Sequence, residues 1–287
     1  RLDEDANLFA ATPVPTSVKA ILALASKEGM CVGTADVSTA FLHAVPEDRD
    51  IWVEPPIEMG YENHTVWRLR KSLYGLKSAP RAWADHFSQI MRDLGYSKSL
   101  IDPTCYWNNQ LKIKVVVHVD DLLVTGKKKE VETYFLELEK HVLLKWKILN
   151  AKEKDVYLGR ELSIDGEGFI HTMGNRYVDK LLERAKMADA KPVATPGVKD
   201  GKEPYDTPLD ADEHREYRSI VGGLQWLAFD RWDLLFATTE LARRLATPTK
   251  EDQKKLKHLL RYLKGTKELQ MKVLPTKSLF HTQKDVR

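Results

Sequence analysis

Two adjacent carboxylates, Asp120 and Asp121, are set between two short apolar runs of this chain. The runs, residues 113–117 and 122–125, are rich in β-branched side chains, and Gly126 ends the second, a pattern typical of strand, turn and strand. Neighbouring side chains in a strand point to opposite faces, so the backbone has to turn at the two aspartates if both carboxylates are to reach one site. The sequence therefore predicts an antiparallel hairpin with its charge at the tip.

A third aspartate, Asp36, favours a cation site over a solvated hairpin end as the interpretation of this acidic pair. Carboxylates as close as Asp120 and Asp121 repel and raise each other's pKa, which a divalent cation relieves. Taken alone, such a pair is more often the solvated end of a hairpin. Asp36 follows the small apolar segment 30–35, which predicts a second strand ending in a carboxylate. Three such carboxylates suit two Mg²⁺ ions in phosphoryl or nucleotidyl transfer.

Apolar periodicity elsewhere predicts a mixed α+β fold. The expected helices are residues 17–26, 80–95, 127–144, 176–187, 216–229, 232–245 and 250–264. The expected strands outside the hairpin are residues 51–53, 66–71, 156–162 and 168–171. Residues 189–213 contain four prolines and few large apolar side chains, so we predict a connector there. The N-cap of the first helix is expected at Thr16 or Ser17.

Composition limits the partners. With 287 residues, 43% of them hydrophobic, the chain can bury a sizeable core and could contain two or three subdomains. Its 45 Lys and Arg nearly balance its 42 Asp and Glu, so any nucleic-acid surface has to come from charge distribution. Cys31 and Cys105 are expected to be reduced core residues. No segment reaches the roughly 18 uninterrupted apolar residues of a membrane span, so we expect no membrane partner.

Three segments closely resemble, in order and spacing, the reverse transcriptase of copia-type (Ty1/copia, pseudovirus) LTR retrotransposons: residues 36–41 (Asp-Val-Ser-Thr-Ala-Phe), 72–83 (Ser-Leu-Tyr-Gly-Leu-Lys-Ser-Ala-Pro-Arg-Ala-Trp) and 118–121 (His-Val-Asp-Asp). The likeness continues at residues 156–162, 191–196, 217–222 and 259–266, and so covers roughly residues 8–272. The resemblance implies an α+β polymerase right hand, with a palm, partial fingers, and a helical thumb or connection region.

The resemblance also implies a division of the chain. Residues 1–11 would be a truncated fingers remnant, and residues 12–172 a palm with an inserted fingers segment at about 44–78. Residues 173–265 would be a mainly helical thumb or connection, and residues 266–287 a tail. The family's basic fingers strand is missing before Leu8, and ribonuclease H is absent, so we expect a fragment of a Pol polyprotein with integrase upstream and ribonuclease H downstream. The implied location is intracellular, in a cytoplasmic retrotransposon particle.

The implied activity is RNA-directed DNA synthesis, with two-metal transfer of a nucleotide from a dNTP to a primer 3′ hydroxyl on an RNA or DNA template. Asp36, Asp120 and Asp121 would be catalytic, and with the carbonyl of Val37 would bind two Mg²⁺ ions, for which Mn²⁺ could substitute. The dNTP would contact Phe41 as a steric gate, with Tyr74, Gly75 and Lys77. Primer and template would contact His118, Val119, Tyr157, Leu158, Gly159, Arg68 and Arg70.

Several alternatives stay open from the residues. Phe41 and Tyr74 also fit core aromatics, and residues 66–71 also fit a solvated strand edge. The chain departs from the family pattern at His118, where Tyr is usual, at Ala44, where Gly is usual, and at Trp232, where Pro is usual. A rival hypothesis is therefore an inactive retrotransposon remnant that keeps the palm fold and at most binds nucleic acid. A two-metal nuclease or phosphatase on an unrelated α+β scaffold is a third.

Overall fold

The structure is a computed structural model that describes residues 8, 10–46, 50–62, 64–166, 168–198 and 207–274. The described chain falls into two compact units, one made mainly of residues up to Leu158 and the other of Gly159–Asp165 and Phe169–Val273. Helices and antiparallel sheets are both present, which confirms the predicted α+β class. Within the described residues, no helix is long and apolar enough to cross a membrane.

The first unit contains three α-helices and nine strands in the described residues. In chain order these are α1 (Pro15–Glu28), β1 (Cys31–Val37), β2 (Trp52–Val53), β3 (Trp67–Arg68), α2 (Ala79–Asp93), β4 (Ser97–Lys98), β5 (Cys105–Asn108), β6 (Ile113–His118), β7 (Asp121–Gly126), α3 (Lys128–Leu138), β8 (Leu144–Ile148) and β9 (Asp155–Tyr157). Short 3₁₀ turns lie at Ala40–His43 and Ile57–Met59. Six strands form one antiparallel sheet in the order β4-β5-β6-β7-β1-β8, and β2 pairs with β3.

The two faces of the six-stranded sheet are covered by different helices. α2 and α3 pack on one face, where the buried core includes Ala35, Val37, Trp83, Phe87, Val115, Val117, Leu122, Val124, Val131 and Phe135. Lys114 precedes Val115 in β6 and so points to the other face, where it pairs with Glu28 of α1 at 3.3 Å. α1 therefore covers one end of the second face, the end at which Lys114 lies opposite Thr125. The other end of that face, at Asp36, borders a cavity.

The second unit is mainly helical. It contains β10 (Arg160–Ile164), β11 (Phe169–Thr172), α4 (Asn175–Arg184), α5 (Ala211–Ala228), α6 (Trp232–Ala242), α7 (Lys250–Gly265) and β12 (Lys272–Val273). β11 pairs antiparallel with both β10 and β12. The helices share a core that includes Leu181, Tyr217, Leu224, Leu234, Leu256, Leu259 and Leu263. Capping boxes start α5, at Asp210 and Glu213, and α7, at Thr249 and Asp252, because each pair satisfies backbone donors of the first turn.

Four local predictions were wrong. The single strand expected over residues 156–162 is divided into β9 and β10, because Leu158 and Gly159 between them both have positive φ values. The helix expected over residues 127–144 ends at Leu138, and Leu144–Ile148 forms β8 instead. In β8, three apolar residues alternate with Lys145 and Lys147, and this period of two fits an edge strand paired with β1. α1 begins at Pro15 after Val14, with no side-chain cap from Thr16 or Ser17. The strand expected over residues 66–71 is reduced to Trp67–Arg68.

Candidate active site

β1 and β7 bring two of the three predicted aspartates face to face. Asp36 near the end of β1 lies directly opposite Asp121 at the start of β7. The two strands are joined beside this pair, since the Val37 N–H donates to the Asp120 carbonyl at 2.8 Å. On its other side, Asp36 is opposite the exposed Lys145 of β8. The sheet therefore places an exposed carboxylate between another carboxylate and an ammonium group.

The turn that carries the aspartates lies one residue earlier than predicted. His118 of β6 is opposite Asp121 of β7, so the loop consists of Val119 and Asp120, and Asp121 already belongs to the second strand. The first loop residue, Val119, has φ +55°. Hairpins with two-residue loops need a positive φ at this position, which glycine or asparagine usually supplies. The family motif occupies this position with a β-branched side chain.

The charges of the site act on Asp121. Burial raises the pKa of the Asp121 carboxyl, and the neighbouring charges of Asp120 and Asp36 raise it further, while His118 lowers it. Asp121 is half-buried at a point where other carboxylates surround it. The apo site therefore opposes ionisation of this group, a situation that a bound cation reverses.

Asp155, a fourth carboxylate, lies in the cavity next to the aspartate pair. The cavity has a volume of about 250 Å³ and is lined on one side by Thr34, Asp36 and Asp121 and on the other by Lys145, Lys147, Asp155 and Tyr157. Asp155 accepts a hydrogen bond from Thr34 Oγ1 and forms an ion pair with Lys147 Nζ at 2.7 Å. These bonds hold the pKa of Asp155 below its usual value in spite of burial. Sequence reasoning missed this residue, because no motif marks it.

The donor set suits a hard cation by its chemistry. Mg²⁺ prefers oxygen ligands, and the site offers carboxylates on strands held in register. In the described part of the chain, however, no three His, Cys, Asp or Glu side chains are grouped closely enough to hold a metal ion. What favours a hard cation here is therefore the chemistry of the donors and the strand register that brings Asp36 opposite Asp121.

Two of the predicted nucleotide-binding residues, Phe41 and Tyr74, form an aromatic pair, called the aromatic corner below. Phe41 lies in the 3₁₀ turn Ala40–His43, half-buried against the core, and its ring is 4.8 Å from that of Tyr74. Tyr74 is 54% exposed, so it is a surface aromatic rather than a core one. Gly75 has φ +98°, and Lys77 is exposed. Only glycine adopts such a φ without strain, which explains why position 75 is a glycine.

The predicted primer and template residues are dispersed over several elements of the structure. Arg68 and Arg70 are exposed, and Arg68 pairs with Asp50 at 2.5 Å. Tyr157 is only 2% exposed, and its hydroxyl donates to the Val116 carbonyl at 3.4 Å. Its ring therefore supports the sheet from within, and the burial raises the pKa of the Tyr157 hydroxyl well above normal. Leu158 and Gly159 are the more accessible part of this motif, with φ values of +51° and +72°.

His118 occupies the strand position before the turn. It is half-buried, and within the described residues its Nδ1 atom is buried without a hydrogen-bond partner. The tyrosine usual in the family has a hydroxyl at the end of its ring, whereas His118 has a nitrogen closer to the backbone. The ring still borders the carboxylate pair, because His118 is the cross-strand partner of Asp121.

Comparison with protein-family models places this arrangement in a known class. The model described as "Reverse transcriptase (RNA-dependent DNA polymerase)" matches residues 4–199, more than half of the chain. The chain therefore belongs to this reverse transcriptase family. The match includes Asp36, Asp120 and Asp121, and it confirms the resemblance identified from the sequence motifs.

Its relatives are copia-type retrotransposon Pol polyproteins. The chain is 33% identical over 265 residues to the retrovirus-related Pol polyprotein from transposon RE1 of Arabidopsis thaliana, covering 91% of this chain and 18% of that protein. It is also 33% identical over 280 residues to the Pol polyprotein from transposon TNT 1-94 of Nicotiana tabacum, covering 90% of this chain and 20% of that protein. The chain thus spans about a fifth of the length of these relatives.

Proposed function

We propose that this chain is the RNA-directed DNA polymerase segment of a copia-like Pol polyprotein, extending a DNA primer on an RNA or DNA template. The observation that carries the proposal is the cross-strand pairing of Asp36 with Asp121, with Asp120 in the adjoining turn. These carboxylates come from segments 85 residues apart in the chain, and the antiparallel register brings them to one end of one sheet. Residues 12–172 would be the palm, with an inserted fingers segment at about 44–78, and residues 173–265 would be the thumb or connection.

The proposed chemistry follows from the donor set. Asp36 and Asp120, with the carbonyl of Val37, would hold two Mg²⁺ ions, and Asp121 would support them. When bound, Mg²⁺ lowers the pKa of a primer 3′ hydroxyl and neutralises triphosphate charge as pyrophosphate leaves. The pKa of Asp121, raised by burial and further by the charges of Asp120 and Asp36, supports this assignment, because a bound cation would offset the repulsion between the carboxylates.

The aromatic corner and the cationic surfaces would bind the substrates. Phe41, held against Tyr74, would occupy the space that a ribose 2′ hydroxyl requires and so select dNTPs. Gly75 and Lys77 would approach the incoming nucleotide. His118, Val119, Leu158 and Gly159 would contact the primer end, with Tyr157 supporting them from the core, and Arg68 and Arg70 would contact template phosphates.

Primer extension tests the proposal. The chain is incubated with a DNA primer annealed to an RNA template, dNTPs and Mg²⁺, and in parallel with Mn²⁺. We expect extension that the double substitution Asp120→Asn, Asp121→Asn abolishes, because carboxamides do not replace carboxylates as ligands of a hard cation. The matched control is Asp93→Asn, since Asp93 is exposed on α2, where it accepts a hydrogen bond from Gln89.

Two other outcomes contradict polymerase activity. If the wild-type chain binds primer–template in a salt-sensitive way and extends nothing with either metal, the chain is a remnant that keeps the fold without the activity. If labelled primer–template is shortened in a manner that the double aspartate substitution prevents, the site is a nuclease.

A further inference from the structure

The turn between β6 and β7 contains a residue that is poorly suited to its backbone conformation. Val119 has φ +55°, and the left-handed region is unfavourable for residues branched at Cβ. Such a conformation persists only where the surroundings impose it. Val119 is half-buried, and it packs against the core of the first unit while also bordering a cavity of about 150 Å³. The turn has room to relax toward a more favourable φ.

A hydrogen bond from α2 opposes that relaxation. The indole Nε1–H of Trp83 donates to the Val119 carbonyl at 2.6 Å. Trp83 is 2% exposed, and its ring packs 5.5 Å from that of Phe87, so the donor is fixed in place. An indole N–H has one proton to donate and, when buried, needs an acceptor. The Val119 carbonyl satisfies it and is thereby held.

A backbone hydrogen bond also holds the next residue of the turn. The Asp120 carbonyl accepts the Val37 N–H at 2.8 Å, which ties this side of the loop to β1. The two loop carbonyls are thus anchored separately, Val119 to α2 and Asp120 to β1. Removing the first anchor would leave the peptide before Asp120 free to rotate into the neighbouring cavity.

We infer that Trp83 is a positioning residue for the proposed polymerase reaction, because its indole N–H fixes the strained turn from which Asp120 and Asp121 project. The catalytic part of this inference rests on the proposed function. The structural part, that the Trp83 hydrogen bond sets the positions of the two carboxylates, does not depend on it. Trp83 is buried and contacts the turn, so it would act through the aspartates.

The first test is Trp83→Phe, which keeps an aromatic ring and removes the donor. We expect kcat for primer extension to fall about tenfold, a modest share of the loss that misplaced catalytic groups cause, with the KM for dNTP changed less than about twofold. Mn²⁺ binding, followed by electron paramagnetic resonance without substrates, should weaken by about the same factor. The matched control is Trp107→Phe, at a half-buried tryptophan of β5 that lies opposite Ser97 and Lys114, away from the aspartates. It should leave Mn²⁺ binding unchanged.

A rescue separates positioning from loss of packing. Glycine adopts φ +55° without a side-chain penalty, so the turn in a Val119→Gly background needs the anchor less. Trp83→Phe should then weaken Mn²⁺ binding by less than about threefold relative to Val119→Gly alone. A packing defect in the core would give the same loss in both backgrounds.

Unchanged Mn²⁺ binding and kcat in Trp83→Phe, or an equal loss with and without Val119→Gly, would overturn the inference. If the wild-type chain binds Mn²⁺ and extends no primer, the proposed function fails and the metal titration still decides the role of Trp83. If the wild-type chain binds no metal, amide hydrogen exchange of the peptide spanning His118 to Asp121 decides it. Exchange in Trp83→Phe should be faster by about tenfold, and equal rates would refute the anchor.

Discussion

At the scale of single residues, the site shows a charge arrangement that opposes folding without a cation. Asp121 ionises with difficulty because it is partly buried and faces Asp120 and Asp36. A carboxyl whose pKa is raised in the folded state adds stability while it is protonated, and this stability is lost as pH rises through the raised pKa. At neutral pH the ionised Asp121 therefore lowers the stability of the folded chain.

Asp121→Asn should consequently stabilise the metal-free chain at neutral pH. We expect its melting temperature in EDTA at pH 7 to exceed that of the wild type by roughly 2 °C, with the difference vanishing below about pH 4. Adding Mg²⁺ should raise the melting temperature of the wild type more than that of the variant, which keeps Asp36 and Asp120. The control is Asp189→Asn, an exposed carboxylate remote in sequence from the site. A variant that is less stable than the wild type in EDTA would contradict the electrostatic account.

The second unit holds a buried ion pair that behaves differently from surface pairs. Arg160 Nε and Asp230 Oδ2 are 2.7 Å apart, with the two side chains only 5% and 0% exposed, and the guanidinium lies 4.4 Å from the Trp226 ring centroid. Arg160→Met removes a buried cationic partner of Asp230, so it should cost about 3 kcal/mol of unfolding free energy in urea. The double substitution with Asp230→Leu should cost less than Arg160→Met alone.

An exposed pair supplies the comparison. Arg243 Nη1 and Glu240 Oε1 are 2.9 Å apart on side chains that are 71% and 45% exposed. Arg243→Met should change the unfolding free energy by less than about 0.5 kcal/mol, because solvent already screens the pair. Equal costs at the two arginines would show that burial does not determine the strength of the first pair.

At the scale of elements, two consecutive glycines in α5 have opposite surroundings. A Cβ at Gly222 would have open space around it, whereas a Cβ at Gly223 would lie 2.5 Å from Leu181 Cδ2 of α4. Tyr177 of α4 also donates to the Gly223 carbonyl at 3.0 Å, so the two helices approach closely there. The second glycine is a requirement of helix packing, and the first is not.

The pair gives a matched test of that helix contact. Gly222→Ala should stabilise the chain by about 0.5–1 kcal/mol through the lower conformational entropy of alanine in the unfolded state. Gly223→Ala should destabilise it by roughly 1–2 kcal/mol, because a shifted Leu181 disturbs the core. Both are measured by urea unfolding. Stabilisation by Gly223→Ala would show that α4 and α5 have room to separate.

At the scale of the whole molecule, a net charge of +3 makes affinity for nucleic acid depend on where the cations lie. The chain has eight basic and three acidic residues from Lys250 to Lys272. Lys254 and Lys257 are exposed on α7 and separated by one helical turn, so they face the same side. In the proposed thumb they would contact successive phosphates.

Binding of primer–template should weaken as salt rises, and the α7 lysines should account for part of the slope. Lys254→Gln with Lys257→Gln should reduce the slope of log affinity against log salt by about 2, since each lysine would neutralise one phosphate. The control replaces Lys128 and Lys129, which are exposed on α3, with glutamine. An identical slope for all three proteins would place the nucleic-acid surface elsewhere.

Local sequence patterns predicted much of the fold. The β6–β7 hairpin followed from its β-branched runs, and α2 and α7 followed from apolar spacing, because in these segments local preference and tertiary packing agree. β8 was not predicted, because the local pattern of Leu144–Ile148 also fits the end of a helix. Its strand conformation depends on pairing with β1, which is distant in the chain. The aspartates of the candidate site were identified from motifs, whereas Asp155 and the Trp83 anchor had no local signal.

The sequence by itself determined the hairpin, the chemical nature of its tip and the family, since these depend on neighbouring residues or on ordered motifs. Only the tertiary structure decided that Asp36 faces Asp121, that Thr34 bonds to Asp155 and that Trp83 holds Val119. Each of these contacts joins residues far apart in the chain. Strand register sets the first of them, and a shift of one residue would turn Asp36 to the opposite face of the sheet.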